Sequence, residues 1–154
     1  MRRLLFVLST AAALVAMLAL AGPALAQSSS STDDPPDPPV TVLQTELSGE
    51  EEVPGPGDPD GSGSATVIVI PPDTICYTLT AEGIEPATAA HIHQGGPGEA
   101  GPVVLPLEPP TSGVSGGCTE ADPELVSGLQ ENPDEYYVNV HNEEYPEGAI
   151  RGQL

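Results

Sequence analysis

Three histidines carry the chemistry that this sequence has to offer. His91 and His93 stand two apart in the stretch Ala89-Ala-His91-Ile-His93-Gln-Gly-Gly, and His141 ends the stretch Tyr136-Tyr-Val-Asn-Val-His141. On a strand, residues two apart leave the same face, so His91 and His93 point one way and Ile92 the other. By the same rule Tyr137, Asn139 and His141 share one face, and Tyr136, Val138 and Val140 share the opposite one. If the two stretches are neighbouring strands, the three imidazoles converge. Imidazole nitrogen suits zinc and copper, and two ligands from one strand with a third from another make a workable layout. The competing reading is that the histidines hydrogen-bond loop carbonyls and pin the glycine-rich turn at 95–101.

Other chemistry-bearing residues point to less. Asp58-Pro-Asp60-Gly-Ser-Gly has hard oxygens two apart and a glycine for a bend, like the start of a calcium loop. The apolar Val67, Val69 and Ile70 then stand where later ligands should be, so a plain turn is expected. Glu50-Glu51-Glu52 reads as a solvated charge run. Arg151, among many acids, is expected to pair with a carboxylate such as Glu147 or Glu99; an anionic ligand is the alternative. Nucleophile elbow, phosphate loop and cysteine–histidine signature are all missing from the sequence. Lysine is missing too, which removes Schiff-base chemistry. The reading is therefore non-enzymatic.

Composition sets the frame for these residues. The chain has 154 residues, enough for one ordinary domain. It carries 17 Gly, 19 Pro and no Trp, which favours many turns between short elements. Two of its three cations, Arg2 and Arg3, lie at the start, so Arg151 alone faces 23 acidic residues in the remainder. Such a surface repels nucleic acid and anionic membrane faces. It keeps a protein soluble, tolerates high salt, or meets a basic partner.

Residues 1–26 read as a secretory signal peptide: a basic start, an apolar run, a Gly22-Pro23 break and an Ala24-Leu-Ala26 cleavage site. An uncleaved anchor is the alternative, and after cleavage no stable membrane span remains. Residues 27–39, rich in Ser, Asp and Pro, read as a disordered spacer. Export makes a Cys76–Cys118 disulfide the default, with two free thiols as the alternative.

The domain at 40–154 is expected to be all-β. Strands are expected at 40–47, with Val40 and Val42 inward, and at 64–70 and 74–81, which form a hairpin round Pro71-Pro72-Asp73. Further strands are expected at 88–93, at 102–107 with Val103 and Leu105 on one face, at 136–141 and at 149–154. Residues 108–119, with Cys118, are expected to form a loop. Asp122-Pro123-Glu124 is an N-cap, an N1 proline and an acidic first turn, so one short helix follows with Leu125, Val126 and Leu129 on one face. About eight short strands predict an antiparallel two-sheet sandwich or a barrel, immunoglobulin-like or superoxide-dismutase-like.

His91-Ile-His93-Gln-Gly, Gly101-Pro-Val-Val, Tyr136-Tyr-Val-Asn-Val-His141 and the ending Gly148-Ala-Ile-Arg-Gly-Gln-Leu154 together resemble the CHRD domain. Glu52-Val-Pro54 resembles that family's opening pattern. The family is named for its occurrence in chordin and occurs in secreted bacterial proteins. The resemblance implies an immunoglobulin-like or barrel-like β-fold and a secreted or cell-envelope module that binds an extracellular protein or a cell-surface component. His-x-His before a glycine-rich loop is also similar to the copper strand of Cu/Zn superoxide dismutase, but three histidines are too few for that family's bridged site, so dismutase activity is rejected. A metal-binding protein using His91, His93 and His141, and a structural envelope or adhesion protein, remain as rivals.

Overall fold

The structure is a computed structural model that describes residues 38–154. The signal peptide assigned to 1–26 and the spacer up to residue 37 lie outside the described residues. The strands are β1 (Thr41–Ser48), β2 (Ser62–Ile70), β3 (Thr74–Glu82), β4 (Ala89–Gln94), β5 (Val103–Leu107), β6 (Val114–Glu120), β7 (Tyr136–His141) and β8 (Ile150–Gln153). They form one antiparallel sheet in the order β5-β4-β7-β8-β1-β2-β3-β6. The sheet curls into a nearly closed barrel. Its two ends are tied across the remaining seam at Glu108, just after β5. The Glu108 N–H donates to the Tyr77 hydroxyl of β3 at 2.7 Å, and the Ser115 hydroxyl of β6 donates to the Glu108 carbonyl at 2.6 Å.

Alternation builds the interior. Ala65, Val67 and Val69 of β2, Ile75, Tyr77, Leu79 and Ala81 of β3, Ile92 of β4 and Val138 and Val140 of β7 all point into one core. The helix α1 (Pro123–Glu131) begins as the sequence dictates: the Asp122 carboxylate accepts from the Glu124 N–H, and Pro123 occupies the first turn. Leu125, Val126 and Leu129 turn inward and join the core.

Three expectations are corrected. Val40, just before β1, and Val42 within it are each 56% exposed, while Leu47 is buried and Leu43 packs against the core. Register decides this: Val42 lies opposite the outward-facing Ile68, and Leu43 opposite the buried Val67. Residues 114–119 of the expected loop, with Glu120, form strand β6. Gly116-Gly117 has little intrinsic strand preference, and its strand is imposed by pairing with β3, which sets Cys118 directly opposite Cys76. Those two cysteines are joined. Finally, Val103 is exposed while Leu105 is buried. The pairing shifts between Ile92 and His93, which face Leu105 and Val103, so an extra residue in β5 breaks the alternation.

Candidate metal centre

β4 and β7 are hydrogen-bonded neighbours, with His93 opposite Tyr137, His91 opposite Asn139 and Ala89 opposite His141. Ile92 fills the core, so His91 and His93 face the other way, and His141 leaves β7 on the same side as Tyr137 and Asn139. One nitrogen from each of the three histidines falls within 4.8 Å of the others. The Nδ1 of His91 and the Nε2 of His141 are 3.1 Å apart. His91 and His141 are half-buried, and His93 is buried.

Two backbone carbonyls set the ring tautomers. The His93 Nδ1 lies 2.9 Å from the Gly101 carbonyl, and the His141 Nδ1 lies 3.1 Å from the Pro146 carbonyl. A carbonyl oxygen only accepts, so each Nδ1 carries the proton and each Nε2 keeps a lone pair. The His141 lone pair meets His91. The His93 Nε2 is buried and has no hydrogen-bond partner among the described residues. All three imidazoles are held below the usual histidine range, chiefly by burial. For His91 the neighbouring His141 and His93 add to this; for His93 the Gly101 bond opposes it and Arg151 reinforces it. Neutral rings are the ligating form. The competing reading of the histidines as pins for the glycine turn holds for His93, which does bind the loop, but leaves its second nitrogen unexplained.

The glycine loop between β4 and β5 folds tightly over the site. A side chain at Gly101 would enter the Gln94 carbonyl, so only glycine permits this approach. Arg151 on β8 is 2% exposed and reaches under the loop. The partner expected for it is a carboxylate, of Glu147 or Glu99. Instead its guanidinium donates to the backbone carbonyls of Glu99 and Gly96, at 2.8 and 3.0 Å, and to the Gln153 amide oxygen at 3.3 Å. The planar fork matches two carbonyls of one turn, and the Tyr137 ring covers its face at 3.4 Å.

Glu52 overturns the reading of a solvated acidic run. Glu50 and Glu51 are exposed, but Glu52 is buried. Both its carboxyl oxygens accept from the Asn139 amide, at 2.8 and 3.0 Å. Asn139 in turn lies opposite His91 on one side and Arg151 on the other. Burial raises the Glu52 carboxyl from 4.5 to about 7, against the pull of Arg151, the Asn139 bond and the Val53 N–H. The signal was present in Glu52-Val-Pro54, where one acid of the run sits beside an apolar residue and a proline. Asp58 and Asp60 form the plain turn expected, with the Asp58 carboxylate accepting from the Asp60 N–H at 3.1 Å.

A nearly closed β-barrel, a cross-strand disulfide and a histidine cluster roofed by a glycine loop define an all-β domain of about 110 residues, within the usual range for a single domain. The family model of the CHRD domain matches residues 43–154, most of the chain, and the protein belongs to that family. CHRD domains are typically extracellular, and the family is not known as an enzymatic one. No curated protein and no solved structure matches the chain. No helix among the described residues is long and apolar enough to cross a membrane.

Proposed function

We propose that this protein is a secreted, non-enzymatic CHRD module whose working part is a zinc or copper centre on His91, His93 and His141. The module presents this centre to an extracellular protein or cell-surface component. The observation that carries the reading is the buried, unpartnered Nε2 of His93, held within 4.8 Å of ligand atoms of His91 and His141. A buried acceptor without a partner costs about 1–3 kcal/mol, and a metal ion removes that cost. The carbonyls on the Nδ1 atoms of His93 and His141 supply the outer hydrogen bonds that ligating histidines usually make. The His91 Nδ1 is the atom that faces His141, so ligation through it would place that ring's proton on Nε2 and free the third lone pair. The donor set is three imidazoles without thiolate, which suits zinc and copper.

Calorimetric titration of Zn²⁺ and Cu²⁺ into the wild type and into His91→Ala tests this. The wild type should bind one ion far more tightly than surface carboxylates do, and the variant should lose that phase. Identical weak heats from both proteins would remove the metal and leave an interaction module whose acidic surface selects a basic partner.

A further inference from the structure

Arg151, Tyr137 and His93 form a layered column. The guanidinium carbon of Arg151 is 3.4 Å from the centre of the Tyr137 ring. That ring is stacked on His93, with centroids 4.7 Å apart and 12° between the planes. Each layer is also tied to the same glycine loop. Arg151 donates to the Gly96 and Glu99 carbonyls, the Tyr137 hydroxyl accepts from the Gly101 N–H at 3.1 Å, and His93 donates to the Gly101 carbonyl. Gln153, two residues further along β8, donates to the Gly95 carbonyl at 2.9 Å. The last strand therefore grips the loop that orients a candidate ligand on the fourth strand.

The cation in this column is the sole one among the described residues. Burying a guanidinium is unfavourable unless its donors are satisfied, and here carbonyls and an aromatic face satisfy it in place of a carboxylate. A surface position would avoid that cost. What the burial achieves is geometric: it fixes the loop and the ring that between them leave His93 one orientation.

We propose that Arg151 is the positioning residue of the three-histidine centre, acting on His93 through Tyr137 and the glycine loop. This rests on the metal reading above. Arg151→Lys keeps the charge but cannot bridge two carbonyls and cover a ring at once. Groups that orient a ligand from behind typically change metal affinity by about 10–100-fold when altered.

The test is a double-mutant cycle with Zn²⁺ as the probe, read by calorimetry, on wild type, Arg151→Lys, His93→Ala and the double variant. Arg151→Lys should weaken zinc about tenfold or more. Added to His93→Ala it should cost nothing further, because the ring it positions is gone. In parallel, the electron paramagnetic resonance spectrum of bound Cu²⁺ should change in Arg151→Lys and not between His93→Ala and the double variant. Additive losses, or undiminished binding by Arg151→Lys, would overturn the inference while leaving the metal centre standing. A wild type that binds neither zinc nor copper would bring down both. Should Arg151→Lys fail to fold by circular dichroism, Tyr137→Phe, which deletes only the hydroxyl on Gly101, is carried through the same cycle with the same expected outcomes.

Discussion

Replacing Glu52 with glutamine should change how the stability of this domain depends on pH. The Glu52 carboxyl is raised from 4.5 to about 7 by burial. Between those values the folded protein holds a proton that the unfolded chain has already released. The contribution of Glu52 to stability is therefore full below pH 4.5 and is lost as pH rises towards 7. At about 1.4 kcal/mol per pH unit, the interval amounts to about 3 kcal/mol. The histidines work in the opposite sense. Their folded-state values lie below 6.5, so the unfolded chain takes up protons first as pH falls, and their contribution fades with acid. A single profile of the wild type would mix the two. The amide introduced by Glu52→Gln cannot ionise and still offers a carbonyl to the Asn139 amide, so the difference between the two proteins isolates Glu52. Urea unfolding with chelator present, followed by circular dichroism from below pH 4.5 to above pH 7, measures that difference. The variant should gain about 3 kcal/mol on the wild type across the interval. A difference that stays flat would refute the claim that Glu52 is buried without adequate compensation.

Other consequences follow from packing and covalent structure. The Cys76–Cys118 bridge spans 42 residues of sequence, and the double Ser variant should lose about 4 kcal/mol in the chain-entropy account, measurable by denaturant unfolding. Leu129, fully buried on α1, should cost about 2–5 kcal/mol on change to Ala, whereas Val42→Thr on the outer face of β1 should move the midpoint little. Zinc affinity should decline as pH falls through the histidine range, and the decline should begin below 6.5 because burial keeps all three rings neutral. Competition titrations at several pH values check this.

Where the controlling interaction is local, the sequence is readable. The start of α1 depends on Asp122 and Pro123 alone, within one turn of the residues they cap. The strands β2 and β3 have β-branched or alternating runs on both sides of a proline turn, and they pair as expected. Strand β6 is not readable, because Gly116 and Gly117 carry no strand signal and owe their conformation to β3. The inward face of β1 escapes the sequence for a similar reason. Leu43 and Leu47 share one face with Thr41 and Thr45, but Val40 and Val42 at the start of the run point to the other, and the register against β2 decides for the leucines.

The candidate centre divides along the same line. Period-2 geometry alone places His91 and His93 on one face, since adjacent side chains of a strand must alternate. That His141 comes within 3.1 Å of His91, across 50 residues of sequence, is decided by the pairing of β4 with β7. The charged residues behind the site need tertiary structure still more. Charge and composition mark Glu52 and Arg151 as surface groups, and only the Val-Pro that follows Glu52 hints otherwise. Whether a charged side chain is buried depends on which distant segments cover it. For Arg151 these are the glycine loop and Tyr137, and for Glu52 the amide of Asn139 and the turn at Gly148. The alternation rule assigns a face to each residue, but only the curled sheet and its loops determine what lies on the other side of that face.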